Sequence, residues 1–321
     1  MKTEVAIGID VGGTNTDFAI VDRDGNCLLM DSIRTDRHNE VVQFLDELTE
    51  KLKSQIRKLD KQFEVKGIGV GAPNGNYFKG TIEFAPNLKW KGTIHLADML
   101  AKRMNLPVVL TNDANAAAIG EMIYGAAKGM KDFIVITLGT GLGSGIVVNG
   151  ELLYGHDGFA GELGHTIVYP EGRTCGCGRK GCLETYASAT GIVRTIVEML
   201  QQSGEPSILR NIEKDKLNSK EIFLAAQKGD KIALDAFEFT GKILGMKLSD
   251  AVAFSSPEAI ILFGGLALAG ELIFVPTKKY MEYYMLPLFR NKVKLLPSLV
   301  NNKNAAVLGA AALVWTHMKN G

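Results

Sequence analysis

The chain has 321 residues, which is more than one hydrophobic core usually serves, so two domains or lobes are expected. Hydrophobic residues make up 46% and charged residues 22% of the sequence, a balance that excludes an intrinsically disordered protein. The 36 basic and 35 acidic residues give a net charge of +1, which excludes the strongly basic balance typical of nucleic-acid-binding proteins.

The ends of the chain carry no pattern that predicts export or membrane insertion. The N-terminal segment lacks an apolar run of signal-peptide length, and the apolar run over residues 305–315 is too short to span a bilayer. We therefore expect a cytoplasmic protein without a membrane partner. Of the four cysteines, three lie within eight positions, and in a reducing compartment such clustering favours a metal site over disulfides.

The first part of the chain predicts a β-hairpin meander followed by alternating helices and strands. Short apolar or alternating runs bounded by turns are typical of strands, and longer runs with apolar residues at helical spacing are typical of helices. The predicted strands are residues 5–10, 18–21, 27–30, 66–71 and 108–111, and the predicted helices are residues 41–59, 98–104 and 114–126.

The pattern then restarts at residue 133. A strand over residues 133–138, a glycine turn and a strand over 146–148 match the first hairpin after a shift of 127 positions, which places Gly12 on Gly139. This short similarity suggests a duplicated α/β architecture. One more strand, residues 259–263, ends in a pair of glycines, and the last helix is predicted over about residues 304–318.

Two glycine turns are candidate phosphate-binding loops, because glycine lets backbone N–H groups approach phosphate oxygens without a Cβ in the way. The first turn and the residue before it contain Asp10, Gly12, Gly13, Thr14 and Asn15. The second extends over residues 138–145 and includes Gly139, Thr140 and Gly141, and Gly264-Gly265 offers a similar surface for an adenosine. Asp10 is a candidate Mg²⁺ ligand, whereas a plain hairpin turn is the alternative for the first segment. The sequence contains neither a P-loop motif nor a Rossmann fingerprint.

Asp113 follows a strand and precedes an alanine-rich helix, and this position allows two interpretations. Asp is a common helix N-cap. The carboxyl end of a strand is also where α/β sheets bind ligands, so Asp113 is equally a candidate general base. Position alone does not decide between them.

The most specific local signal is His165 followed by Cys175, Cys177 and Cys182. Three thiolates and one imidazole satisfy a tetrahedral Zn²⁺, and a closed set of four protein ligands predicts a structural zinc site. Disulfides or free thiols are the alternatives. Glu162 and Glu184 flank this cluster, and they are either sugar ligands held by the zinc site or solvated surface charges.

Together these segments resemble the ROK family of sugar kinases and repressors, and most closely its glucokinases. The resemblance covers nearly the whole chain, and its most specific part is the cysteine cluster preceded by Glu-x-Gly-His. The segments that carry it are residues 10–15, Pro86-Asn87-Leu88 with Trp90, Asn112-Asp113, Gly139-Thr140-Gly141, Glu162-x-Gly164-His165, the CGCG-x-x-GC cluster and Glu184.

The resemblance implies an actin-like ATPase fold, with two RNase-H-like α/β lobes, ATP and sugar in the cleft and a structural zinc knot. Residues 1–115 would form the N-terminal lobe, on which the last helix packs. Residues 116–303 would form the C-terminal lobe with the zinc-binding insertion. The resemblance also implies ATP with Mg²⁺ as the co-substrate, and a homodimer.

It further implies a role for individual residues. Asp113 matches the general base of the family, and His165 would bind zinc through one nitrogen and face the sugar with the other. The implied sugar contacts are Asn87, Asn112, Asp113, Glu162, His165 and Glu184. The implied nucleotide contacts are Asp10, Gly12, Gly13, Thr14, Asn15, Thr140, Gly141, Gly264 and Gly265. The implied zinc ligands are His165, Cys175, Cys177 and Cys182.

Two positions depart from the family pattern. Asn15 stands where many members carry Lys, so the phosphate turn lacks one positive charge. Asn74 follows Gly71-Ala72-Pro73 where the family often has Gly, so the loop over residues 74–78 is expected to shape the sugar pocket differently.

The expected activity is ATP-dependent phosphorylation of glucose to glucose 6-phosphate. A kinase for another hexose or an N-acetylhexosamine (N-acetylmannosamine, N-acetylglucosamine, allose or fructose) is the alternative within the same class. A sugar-sensing regulator and a catalytically inactive sugar-binding module are alternatives of other classes. Repressors of the family carry a helix-turn-helix domain before the kinase-like part, and a core strand that begins near residue 4 argues against that class.

Overall fold

The structure is a computed structural model that describes residues 2–300 and 305–320. Within these residues the strands are β1 (Thr3–Val11), β2 (Asn15–Asp22), β3 (Cys27–Arg34), β4 (Phe63–Gly71), β5 (Gly75–Asn76), β6 (Thr81–Glu83), β7 (Thr93–Ile94), β8 (Val108–Thr111), β9 (Phe133–Leu138), β10 (Leu142–Val148), β11 (Glu151–Leu152), β12 (Ala259–Phe263) and β13 (Lys294–Pro297). The α-helices are α1 (Val41–Lys58), α2 (Leu96–Met104), α3 (Asp113–Tyr124), α4 (Ala189–Gln202), α5 (Ser219–Gln227), α6 (Lys231–Ser255), α7 (Glu271–Tyr284) and α8 (Ala305–Asn320).

The predicted strands and helices are present, and several match closely. β8, β9 and β12 coincide with the predicted strands, and α1 differs from its prediction by one residue. The prediction missed the short strands β5, β6, β7, β11 and β13, which are only two to four residues long. The predicted first residue of the last helix, Asn304, lies outside the described residues.

The chain divides into two compact units. Unit 1 consists of Met1–Met130, Gly145–Gly161 and Ser298–Gly321, and unit 2 of Lys131–Ser144 and Glu162–Pro297. This division differs from the predicted boundary after residue 115, because α3 packs on α8 and so belongs to unit 1. The assignment of functional lobes stays a prediction.

Unit 1 is built on a five-stranded sheet with the order β3-β2-β1-β4-β8. β1 is antiparallel to β2 and parallel to β4, which is in turn parallel to β8. Most Val and Ile side chains of β1 and β4 are buried, and they join a core with the apolar face of α1. Burial of both sheet faces explains why these strands are nearly continuous apolar runs.

Glycines in the central strands let α8 approach the sheet closely. A Cβ on Gly8 of β1 would overlap the carbonyl oxygen of Val307, and a Cβ on Gly69 of β4 would overlap that of Ala310. Gly309 of α8 lies in the same way against the backbone of Ala116 in α3. The last helix is therefore part of the core of unit 1.

The second sheet has the order β11-β10-β9-β12-β13, which repeats the arrangement of the first sheet. In unit 2, β12 is parallel to both β9 and β13. The long helix α6 packs on α7, and Gly245 allows this because a Cβ there would overlap the carbonyl oxygen of Thr277. Among the described residues, no helix combines the length and apolar composition needed to cross a membrane.

We expect Gly69→Ala to destabilise unit 1 strongly, because the added Cβ overlaps backbone that cannot move without displacing α8. Overpacking a well-packed core costs about 1–3 kcal/mol, and a backbone clash places this variant at the upper end. The free energy of unfolding in urea measures the loss. Gly204→Ala is the control, since a Cβ there meets no atom within 4 Å. Equal stability of the two variants would contradict this packing.

Candidate active site

In unit 1 the register of three parallel strands brings Asp10 and Asp113 together. Asp10 of β1 pairs with Gly71 of β4, and Gly71 pairs with Thr111 of β8, two residues before Asp113. The carboxyl ends of these strands therefore meet at one edge of the sheet, where α/β folds place ligands.

Gly71 keeps the space between the two carboxylates open. A Cβ at this position would lie 3.9 Å from Asp10 Oδ1, 3.6 Å from the Cα of Asp113 and 3.1 Å from the Cβ of Ala116. Sequence reasoning did not identify this role, because it depends on the register of β4 between its neighbours.

The first glycine turn is closed by its own backbone. The Gly12 N–H donates to the carbonyl oxygen of Asn15 at 2.9 Å, and the Thr14 carbonyl accepts from the Thr35 N–H at 2.9 Å. Thr14 and Asn15 are exposed, so both side chains are accessible to a ligand. At Gly13, a Cβ would lie 2.6 Å from the carbonyl oxygen of Asn87, so glycine here lets the segment with Asn87 pack against the turn.

The start of α3 decides between the two interpretations of its polar residues. Asn112 is the N-cap, and its side-chain oxygen accepts from the Asn115 N–H at 2.7 Å. The interpretation of Asp113 as the N-cap is therefore wrong, since Asp113 is the first residue of the helix. One of its oxygens, Oδ1, accepts from the Ala114 N–H at 2.8 Å.

Both carboxyl groups at this edge hold a proton more tightly than usual. Burial raises the pKa of Asp10 from 3.8 to about 7, and the negative charges of Asp113 and Asp17 add to the effect. Asp113 is exposed to solvent, but the protein around it displaces enough water to raise its pKa, against the backbone hydrogen bonds that lower it. Raised pKa values from desolvation and a like-charge neighbour are typical of functional carboxylates.

Asn74 occupies a left-handed backbone conformation, with φ of +51°. Asn tolerates this region better than most residues, which explains how it replaces Gly at this position. Its side-chain amide donates to the carbonyl oxygen of Glu83 at 3.0 Å, so Asn74 holds the neighbouring loop as Gly could not.

In unit 2 the second glycine turn is shorter than predicted. The Gly139 N–H donates to the carbonyl oxygen of Gly141 at 3.1 Å, and β10 already begins at Leu142. The prediction that the turn continues to Gly145 is wrong. Gly145 is a residue of β10, and a Cβ there would lie 2.6 Å from the carbonyl oxygen of Ala114 in α3. Glycine at this position therefore lets the strand pack closely against the helix.

The remaining predicted nucleotide contacts of unit 2 are Thr140 within this turn and the pair of glycines that follows β12. Thr140 is exposed, and its carbonyl oxygen accepts from the Thr190 hydroxyl at 2.7 Å. Gly264 has a φ of +101°, and a Cβ there would lie 2.8 Å from the carbonyl oxygen of Leu138. Gly265 is exposed, with open space where a Cβ would be.

His165, Cys175, Cys177 and Cys182 form a compact cluster in which one ligand atom from each lies within 4.8 Å of the others. The His165 Nδ1 atom lies 3.7 Å from Cys175 Sγ, and the Cys177 and Cys182 sulfurs are 3.6 Å apart. A tetrahedral Zn²⁺ with ligands at about 2.0–2.3 Å requires ligand atoms roughly 3.5–3.8 Å apart. The residues present therefore fit zinc in both chemistry and spacing.

The thiols of the cluster differ in acidity. Burial raises the pKa of Cys177, but hydrogen bonds from the backbone and guanidinium of Arg179 outweigh it and lower the value to about 6. Burial raises the pKa of both Cys175 and Cys182. Zinc binding requires thiolates, so the metal would displace protons from the two buried thiols.

Glu184 connects this cluster with the second glycine turn. Its Oε1 accepts from Cys175 Sγ at 3.0 Å, and its Oε2 accepts from the Leu142 N–H at 3.4 Å. A Cβ at Gly141 would lie 2.5 Å from the same Oε2, so glycine is needed there for the carboxylate to approach.

Glu162 lies on the other side of the histidine. Its Oε2 is 3.8 Å from His165 Nε2, whereas His165 Nδ1 is 3.8 Å from Glu184 Oε1. The structure thus brings together the three predicted sugar contacts of unit 2.

Comparison with known proteins identifies the family. The ROK family model matches residues 6–317. A glucokinase of Halalkalibacterium halodurans is 36% identical over 312 residues, which cover 96% of this chain and 94% of that protein. The crystal structure of a ROK family glucokinase from Streptomyces griseus, in complex with glucose and AMPPNP, has a TM-score of 0.83 at 34% identity and covers 97% of this chain and 99% of that one. A xylose repressor of Bacillus spizizenii is 29% identical, over 98% of this chain and 78% of the repressor.

The raised pKa of Asp10 predicts a pH dependence of stability. A carboxyl group with a higher pKa in the folded chain stabilises the fold fully below its unfolded value near 4, and this contribution is lost as the pH rises through about 7. We expect the free energy of unfolding to fall by up to about 4 kcal/mol from pH 4 to pH 8 on this account. Asp10→Asn should flatten the profile, measured by urea unfolding without nucleotide or Mg²⁺. Parallel profiles for variant and wild type would contradict the assignment.

Proposed function

The chain belongs to the ROK family, and we propose that it transfers the γ-phosphoryl group of ATP to the 6-hydroxyl of glucose, with Asp113 as the general base. The observation that carries this proposal is the position of Asp113. Its carboxylate is accessible at the carboxyl edge of the sheet, and the space above Gly71 separates it from Asp10. The actin-like arrangement of two lobes is part of the proposal, and it is supported by the repeated strand order of the two sheets.

Asp113 acts by accepting the proton of the attacking hydroxyl. A sugar hydroxyl is a poor nucleophile, and a carboxylate that takes its proton as the P–O bond forms contributes about 10²–10⁴ in rate. The hydrogen bond from the Ala114 N–H to Oδ1 holds the carboxylate in place, and we assign the other oxygen to the sugar. The raised pKa makes the ionised carboxylate of Asp113 a stronger base than that of a solvated Asp.

ATP is assigned to the two glycine turns and the glycines after β12. The contacts are Asp10, Gly12, Gly13, Thr14, Asn15, Thr140, Gly141, Gly264 and Gly265. Asp10 would hold Mg²⁺, which neutralises phosphate charge when it is bound. With Asn15 in place of a cation, backbone N–H groups and the Thr14 hydroxyl carry more of the phosphate binding in unit 1.

The sugar hydroxyls are assigned to carboxylate, amide and imidazole groups. These are Asn87, Asn112, Asp113, Glu162, His165 and Glu184. Buried polar groups reject analogues that leave them unpaired, which favours one hexose over its epimers and deoxy forms. Glu162, His165 and Glu184 lie close together, so a bulky acetamido group at that end of the ring would compete with them for space. This favours glucose over N-acetylhexosamines.

Zinc is assigned to His165, Cys175, Cys177 and Cys182, where it would be structural. The cluster offers four protein ligand atoms, which is the full tetrahedral set, so no ligand position would remain for a substrate. The site would fix the ring of His165 through Nδ1 and leave Nε2 for the sugar.

A sugar-sensing regulator is the second candidate, because repressors of the same family align with most of the chain. A regulator needs only the sugar contacts. The acidic pair of Asp10 and Asp113 and both glycine turns are present here, which favours catalysis. Phosphoryl transfer discriminates the two classes.

We expect Asp113→Asn to fold and bind sugar but to lose kcat by about 10²–10⁴, because the amide cannot accept the proton. The N-cap of α3 is Asn112 and is unchanged. Steady-state kinetics and sugar titration measure the two effects. Asp98→Asn is the matched control, since Asp98 is an exposed acid in the first turn of α2. Near-normal kcat in Asp113→Asn would exclude this residue as the base.

We expect about one Zn²⁺ per chain in the purified protein, from four ligands for one tetrahedral ion. Cys177→Ser should lose the metal and bind sugar more weakly, because the cluster positions His165 and Glu184. Metal analysis by mass spectrometry and a sugar titration give the readouts. Cys27→Ser, which alters a cysteine outside the cluster, should keep both. Active protein without zinc would overturn the assignment.

A further inference from the structure

Arg173 uses every N–H donor of its guanidinium group inside unit 2. Nε and Nη2 donate to the two carboxylate oxygens of Glu198 at 2.8 and 2.5 Å. Nη1 donates to the carbonyl oxygens of Thr185 and Gly191 at 2.6 and 3.1 Å, and Nη2 also donates to the Thr195 hydroxyl at 3.0 Å. A guanidinium has five N–H donors, and here all five have an acceptor.

The side chain of Arg173 is also nearly enclosed. It is only 9% exposed, whereas its partner Glu198 is 48% exposed. The guanidinium lies over the ring of Tyr186 at 4.4 Å from the centroid, and the Arg173 N–H donates to the Tyr186 hydroxyl at 2.9 Å. An exposed ion pair contributes little, but a planar, stacked and fully paired guanidinium fixes its neighbours in one geometry.

The two carbonyl groups that Arg173 binds belong to functional segments. Thr185 ends the short 3₁₀ helix Leu183–Thr185, in which Glu184 is the central residue. Gly191 lies in the first turn of α4, just after two residues that hold the second glycine turn. The Ala189 N–H donates to the Gly139 carbonyl at 2.9 Å, and the Thr190 hydroxyl donates to the Thr140 carbonyl.

We propose that Arg173 is the positioning residue that fixes Glu184 and the second glycine turn relative to the metal cluster. Arg173 lies two residues before Cys175, so one side chain connects the metal-binding loop with both other segments. This inference rests on the proposed function, in which Glu184 contacts sugar and the turn contacts ATP. Arg173 itself lies outside the predicted substrate contacts and acts through these neighbours.

A lysine at position 173 cannot form the same set of hydrogen bonds. An ammonium group keeps the charge but is a single point with three donors, so it cannot reach Glu198, Thr185 and Gly191 together. The Thr185 and Gly191 carbonyls would lose partners, and the segments that follow them would gain freedom. The metal ligands themselves would be unchanged.

The test compares Arg173→Lys with Arg194→Lys in the full-length, zinc-loaded chain. Arg194 is exposed and donates to a single carbonyl, that of Thr174, so it is a matched control from the same region. We expect Arg173→Lys to keep about one zinc per chain and to raise KM for glucose at least about 10-fold, with a smaller rise for ATP. Glu198→Gln, which keeps the arginine, should shift both constants in the same direction by less.

A purely structural role would give a different result. It would lower the melting temperature or the active fraction of Arg173→Lys and leave both KM values unchanged, and this outcome would overturn the proposal.

Hydrogen exchange gives a readout that does not depend on activity. Amides of residues 139–141 and 183–191 should exchange at least about 10-fold faster in Arg173→Lys than in wild type, with the remainder of unit 2 unchanged. Unchanged exchange in these segments would reject the positioning role. Wild-type protein that phosphorylates no sugar would instead reject the proposed function, and the exchange result would still decide the role of Arg173.

Discussion

The chemistry of unit 1 depends on the parallel register of three strands. Asp10, Gly71 and Thr111 lie side by side on β1, β4 and β8, so the residues after each strand meet at one edge. Burial and the negative charges of Asp113 and Asp17 raise the pKa of Asp10, and displacement of water by the surrounding protein raises the pKa of Asp113. Gly71 suits this arrangement, because a side chain there would extend into the space between Asp10 and Asp113.

Unit 2 is organised around a shared carboxylate. Glu184 has one oxygen beside the metal cluster and the other beside the second glycine turn. In the proposed function this one side chain would contact the sugar and link the zinc site with the nucleotide-binding turn. A residue with three such duties must be held precisely, and positioning groups typically surround such sites. Arg173 meets that requirement through the carbonyl next to Glu184.

The sequence predicted those features that local pattern determines. The hairpins, β8, β9 and the metal cluster depend on short-range spacing, and their predictions agree with the structure. It did not predict features that depend on contacts between distant segments. Gly145 was predicted to be part of a turn, but it is a strand residue packed against α3. Asp113 was a candidate N-cap of α3, but the N-cap is the residue before it, Asn112. Arg173 carries no local motif, since its partners lie 12 to 25 residues away.

The central claim is that this chain is an ATP-dependent kinase for glucose. The most direct measurement is ADP release in a coupled assay, with glucose, N-acetylmannosamine, N-acetylglucosamine, allose and fructose as acceptors and with the product of each active sugar identified. Our account predicts the highest kcat/KM for glucose, with glucose 6-phosphate as the product. A clear preference for another of these sugars, or no ADP release with any of them, would contradict it.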